Sequence, residues 1–385
     1  MHPEMELLRC AIVRGGTSKG VFIMKNELPK DPVKRDAVIR AIYGSPDVRQ
    51  IDGLGGADVL TSKLAIISPS TRENADVDYT FGQVSFEAEF IDYNGNCGNI
   101  SSAVGPFAID EGLVEPVEPV TTVRIHLTNS DSILVAEVPV KNGKAMVEGD
   151  FAIDGCPGTG AKITLDWADT AGAITGKLLP TGNVQDTIEV DGKKYTVSLV
   201  DAANAVVFIK APELGMTGIE SPQEIESNKA LMETIEKIRG RAAVMMGLVD
   251  RPEDAAPKSP YNPFFAIVSP PTAYQTISGT SVQAGDCDMV SRLLFMLRMH
   301  KTYPVSGTVC TGAAARIPGS IVWEVLREEA KSRITINIGH PGGIIPVEAD
   351  AEETPSGVKL KRVGVYRTAR RIMDGHVYVR KTVFS

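Results

Sequence analysis

No Cys-x-x-Cys pair occurs in the 385 residues, and the five cysteines (Cys10, Cys97, Cys156, Cys287 and Cys310) are odd in number and scattered. That argues against a disulfide framework or a zinc site and leaves free thiols in a reducing compartment. Positive charge is also short. With a net charge of −8, the chain lacks the basic excess that non-specific nucleic-acid binding requires, which does not forbid an anionic small substrate. No apolar run approaches the length of a membrane span, and Met1 to Glu6 has no basic segment leading into an apolar one. A cytoplasmic protein with no membrane or nucleic-acid partner is expected. The 43% hydrophobic and 23% charged fractions are those of an ordinary soluble protein. The length exceeds what one core usually serves, so two domains are expected.

What the chain does contain is glycine-rich turns set beside apolar segments. In Asn94-Gly95-Asn96-Cys97-Gly98-Asn99 two glycines flank a thiol, and good helix residues follow from Ile100 to Glu111. A cysteine at a helix mouth meets backbone N–H groups without partners and the positive end of the dipole, which stabilise a thiolate. Those N–H groups can also hold a carboxylate or a developing enolate oxygen. The alternative is a buried, inert cysteine in a turn. Near the start, Arg14-Gly15-Gly16-Thr17-Ser18-Lys19-Gly20 separates two apolar strands, and Thr17 and Ser18 either present donors to an anion or form a plain hairpin turn. A second loop, Gly53 to Asp58, leads to Lys63 at the head of the apolar strand Leu64 to Ile67. A partly buried lysine there can carry a proton; otherwise it points to solvent at the strand edge. Further strands are expected at Asp78 to Ser85, Glu87 to Ile91, Val123 to Leu127 and Ile133 to Val138, with a helix from Asp31 to Tyr43. Gly155 to Lys162 lacks the ending of a phosphate loop and reads as a Gly/Pro loop.

The second half repeats the first. Val21-Phe22-Ile23 recurs as Val207-Phe208-Ile209, Leu64-Ala65-Ile66-Ile67-Ser68-Pro69 as Phe265-Ala266-Ile267-Val268-Ser269-Pro270, and Val123-Arg124-Ile125-His126-Leu127 as Ile334-Thr335-Ile336-Asn337-Ile338. Three collinear matches predict an internal duplication into two similar domains, 1–185 and 186–385, with a ligand site in the cleft between them. Ser18 then pairs with Asn204 and Lys63 with Phe264. The counterpart of Cys97 falls in Ser306 to Ala315. Only the first half brings a lysine and a helix-mouth cysteine.

Five motifs, in order along nearly the whole chain, carry a family resemblance: Arg14 to Gly20; Gly55-Gly56-Ala57-Asp58 leading to Thr61-Ser62-Lys63; Gly95 to Asn99; Arg316-Ile317-Pro318-Gly319; and Gly339-His340-Pro341-Gly342-Gly343. The chain resembles the methylaconitate and methylitaconate isomerase group, which includes oxalomesaconate tautomerase, within the diaminopimelate-epimerase-like superfamily. The resemblance implies an α+β fold of two tandem domains, each a mixed β-sheet or barrel wrapped around a central helix. It also implies a cofactor-independent and metal-free isomerase that shifts a proton and a double bond in a small unsaturated di- or tricarboxylate. The expected substrate is 3-methylitaconate, giving 2,3-dimethylmaleate; 2-methylaconitate and 4-oxalomesaconate are the alternatives.

Lys63 and Cys97 match the family's catalytic lysine and first cysteine. Candidate substrate contacts are Thr17, Ser18, Asn96, Gly98, Asn99, Asn204, Gly312, His340 and Gly342. Epimerase relatives use a second cysteine, and here the segment resembling it reads Thr311 to Ala315, with alanine at Ala314 where the thiol would be. This argues for proton transfer between two carbons rather than racemisation. The run Arg367 to Arg371 resembles the family's C-terminal signature and reads as a solvated face. A homo-oligomer is expected. A non-catalytic carboxylate-binding accessory protein is the alternative of another class.

Overall fold

The computed structural model describes residues 2–355 and 357–384. The chain divides into two compact units, Met1–Leu165 with Arg367–Ser385, and Asp166–Tyr366. The segment 166–185 therefore belongs with the second unit, and the C-terminal strand returns to the first.

In the first unit, Met5–Gly15 and Ser18–Met24 form a hairpin, and Lys63–Pro69 lies parallel to its second strand with Gly20 opposite Lys63. Val77–Val84 pairs antiparallel to Lys63–Pro69. Val120–Leu127 runs parallel to Val77–Val84 and turns back into Ser132–Lys141. Ala369–Arg380 pairs along the whole length of Met5–Gly15. These strands surround the Gly98–Asp110 helix, which is buried on nearly every side. A helix apolar all round belongs inside a core rather than on its surface. The expected strand Glu87 to Ile91 shrinks to Ile91–Asp92. The Ser85 hydroxyl accepts from the N–H groups of Glu87 and Ala88, which bends the chain into a turn there.

The second unit repeats this order. Asn204–Lys210 lies parallel to Phe264–Ser269 with Val206 opposite Phe264. Phe264–Ser269 pairs antiparallel to Met289–Phe295, and Met289–Phe295 lies parallel to Thr335–His340. The Val305–Ala314 helix is fully buried against Lys193–Ala202, Asn204–Lys210 and Gly343–Thr354. Lys63 and Phe264 occupy equivalent positions, as the sequence pairing has them. The third match slips by two residues: register equates Ile125 with Ile338, where the sequence pairs Leu127 with it. A two-residue slip keeps the same face inward, so apolar pattern alone does not reveal it.

Candidate active site

Cys97 is the N-cap of the Gly98–Asp110 helix (φ −114°, ψ 96°), and its side chain makes no capping bond. Its carbonyl is held by the N–H of Ser101 at 2.8 Å and the Ser101 hydroxyl at 2.9 Å. At 5% exposure the thiol is buried beside first-turn N–H groups that have no intrahelical partners. The turn leading to it is tied down from within: the Asp92 carboxylate accepts from the Asn94 N–H at 2.8 Å. From outside, the Asn96 amide donates to the Ser130 hydroxyl at 3.0 Å.

Lys63 does not point to solvent. It is 3% exposed, and its ammonium donates to Gln83 Oε1 at 3.2 Å from 5.4 Å off the Phe81 ring centroid. Gln83 stands directly across the ladder from Lys63. Its amide is turned toward the lysine because Nε2 is spent on the Ser62 carbonyl at 3.1 Å. Gly20, opposite Lys63 on the other side, would place a Cβ 3.2 Å from Ile100 Cδ1. Lys63 therefore lies on the sheet face turned toward the first turn of the helix.

The Gly16-Thr17 turn docks on that same helix turn. Asn99 Nδ2 donates to Thr17 Oγ1 at 3.1 Å, and Asn99 Oδ1 accepts from the Thr17 N–H at 3.4 Å and from Arg367 Nε at 3.0 Å. A Cβ at Gly15 would lie 2.3 Å from the Asn99 carbonyl oxygen, and one at Gly16 2.1 Å from Asn99 Oδ1. The paired glycines thus permit close backbone approach. Ser18, at the head of its strand, has a buried hydroxyl without a hydrogen-bond partner among the described residues. Arg367 corrects the reading of its run as a solvated face. It is 4% exposed, and burial pushes its guanidinium down to about 10. Gln83 carried no motif of its own and reaches the site through strand pairing, whereas Arg367 stood in a run that resembles the family's signature but whose burial the sequence did not reveal.

In the second unit, Asn204 is buried and donates to the Ser306 hydroxyl at 2.7 Å in the first turn of the Val305–Ala314 helix. This echoes the contact of Thr17 with Asn99. The residue at the mouth of this helix is Pro304, so Pro304 rather than Ala314 answers to Cys97. Gly312 lies inside the helix, where a Cβ would come 2.9 Å from Val347 Cγ2; it serves close packing and offers no donor at a helix mouth. Cys310 is fully buried, bonded to the Val200 carbonyl, and burial pushes its thiol well up. His340 accepts from the Gly342 N–H through Nδ1 at 3.1 Å and so orders its own hairpin. Among the described residues no group of three or more His, Cys, Asp or Glu is placed to hold a metal ion.

Asp201, near the turn into Asn204, carries a prediction. Burial pushes its carboxyl up to about 6, although Oδ2 accepts from the N–H groups of Ile174 and Thr175 and from the Thr175 hydroxyl. The folded chain then binds a proton more tightly than the unfolded chain, so this group's contribution to stability falls as pH rises from about 4 through 6, by roughly 2–3 kcal/mol. Thermal melts of wild type and Asp201→Asn across that range check this. The difference between the two should grow in favour of Asp201→Asn as pH rises, and a pH-independent difference would contradict it.

Residues 5–380 match the family model described as PrpF protein. The chain is 52% identical over 373 residues to the 3-methylitaconate isomerase of Eubacterium barkeri, covering 97% of each chain. It is 39% identical over 370 residues to the 4-oxalomesaconate tautomerase of Pseudomonas putida, covering 96% of this chain and 95% of the relative. The crystal structure of a methylitaconate-delta-isomerase superposes with a TM-score of 0.85 at 51% identity, covering 99% of this chain and 98% of that one. On a match that spans nearly every described residue, the chain belongs to the PrpF protein family.

Proposed function

We propose that this chain is an isomerase that moves a proton and a double bond within a small unsaturated di- or tricarboxylate, converting 3-methylitaconate to 2,3-dimethylmaleate. The observation that carries the reading is the burial of a lysine and a helix-mouth cysteine toward one helix turn of the first unit, in a chain half identical to a 3-methylitaconate isomerase. Cys97 removes the proton from the saturated carbon alpha to a carboxylate. The electron pair left behind delocalises over the carboxylate and the adjoining double bond as a dienolate, and a proton returned to the terminal methylene carbon completes the shift. Lys63 shuttles that proton or stabilises the dienolate. Acid–base transfer of this kind contributes about 10²–10⁴-fold, and the rest of the acceleration falls to donors aimed at the developing oxyanion. Those donors are the N–H groups of Gly98 and Asn99 together with Thr17 and Ser18, and Asn96 is proposed as a further substrate contact. A cytoplasmic homo-oligomer working without a cofactor completes the reading.

An ultraviolet assay of 3-methylitaconate, 2-methylaconitate and 4-oxalomesaconate in parallel, with no cofactor or metal added, tests it. Turnover of the first acid well above the other two is expected. Preference for another acid would reassign the substrate, and silence on all three would remove the isomerase reading.

A further inference from the structure

Lys63 opens a strand and Cys97 opens a helix, so their spacing depends on what joins those two segments. One side chain bonds both the strand beside the first and the turn before the second. Asn129 lies in the turn between Val120–Leu127 and Ser132–Lys141. Its Oδ1 accepts from the Phe81 N–H at 2.8 Å, and its Nδ2 donates to the Phe81 carbonyl at 2.9 Å and to the Tyr93 carbonyl at 2.7 Å. Phe81 provides the ring beside the Lys63 ammonium and lies two positions before Gln83, which accepts from that ammonium. Tyr93 begins the turn that ends in Cys97. The rest of the loop has anchors of its own: the Thr128 and Thr80 hydroxyls lie 2.6 Å apart, Asp131 is held by His126 at 3.0 Å, and the Ser130 hydroxyl accepts from Asn96 in the turn before Cys97.

We propose that Asn129 is a positioning residue for the isomerisation, setting the distance between Lys63 and Cys97 by tying the strand beside the lysine to the turn before the cysteine. The proposal rests on the reading of those two as the proton-transfer groups. An amide suits the position because it accepts on one side and donates twice on the other. The isosteric Asn129→Asp would turn a carboxylate oxygen toward two carbonyl oxygens and push the segments apart.

The test runs the isomerisation of 3-methylitaconate in D2O with wild type, Asn129→Asp, Asn129→Ala and Thr128→Val. Besides kcat and KM, it reads the ratio of deuterium entering recovered substrate to product formed. That ratio reports how the dienolate partitions within a turnover and is unmoved by loss of folded enzyme. Both Asn129 variants should lose about 10-fold or more in kcat with little change in KM, since displacements near 1 Å are costly to proton transfer, and their exchange ratio should rise. Thr128→Val should leave the ratio at the wild-type value. Wild-type kcat in Asn129→Asp, or a lower kcat with an unchanged ratio, would overturn the proposal and leave Asn129 a residue of the fold alone. No turnover by wild type would instead bring down the assignment of Lys63 and Cys97, and the proposal with it.

Discussion

Cys97→Ser is expected to lose about 10²–10⁴-fold in turnover while folding as well as wild type or better. Serine is close in size to cysteine, so a site only 5% exposed accommodates it. At an N-cap a hydroxyl also bonds first-turn N–H groups in a way the present side chain does not, which adds roughly 0.5–1 kcal/mol of helix stability. The same change removes the thiol and diverts N–H donors from the substrate. Stability and activity should therefore move in opposite directions, which a residue of purely structural value does not produce. Lys63→Met is the companion variant. It keeps an apolar stem against Phe81 and removes the ammonium, leaving Gln83 Oε1 without that donor at about 1–3 kcal/mol. Its kcat should fall over a similar range. Steady-state kinetics with thermal melts decide the matter: if both variants turn over like wild type, neither side chain transfers the proton.

Gly15→Ala should be damaging out of proportion to one methyl group. The added Cβ would sit 2.3 Å from the carbonyl oxygen of Asn99 and 3.1 Å from Ile100 Cα. These are backbone atoms of the helix's first turn and cannot rotate away. Either the hairpin or the helix start has to shift, which costs about 1–3 kcal/mol and, with Cys97 two residues before Asn99, about 10²-fold in turnover. Gly143→Ala is the contrast. That glycine has positive φ, at 70°, and lies in an open turn where the nearest atom to the added Cβ is 4.0 Å away. Its replacement should cost about 1 kcal/mol through backbone strain alone and leave kcat unchanged. Equal effects from the two alanines would show that the hairpin does not need its close approach to the helix.

The amino-acid pattern by itself determined a good deal. Glycine on both sides of Cys97 and helix formers after it marked a helix mouth, because the local chemistry of capping is written within a few residues. The repeated apolar strands marked two similar units, because burial imposes a period that survives duplication. Lys63 at the head of such a strand stood out as a charge on an apolar segment. Only the tertiary structure decided which way Lys63 faces, that Pro304 stands at the second helix mouth, that Gly312 packs against Val347, and that Arg367 is buried against Asn99. It also brought Gln83 to the lysine and Asn129 to Phe81 and Tyr93. Alternation along a strand specifies which face a residue takes but not which strand lies beside it, or in what register. Gln83 is distant from Lys63 in the chain, and strand pairing, not local pattern, made them neighbours.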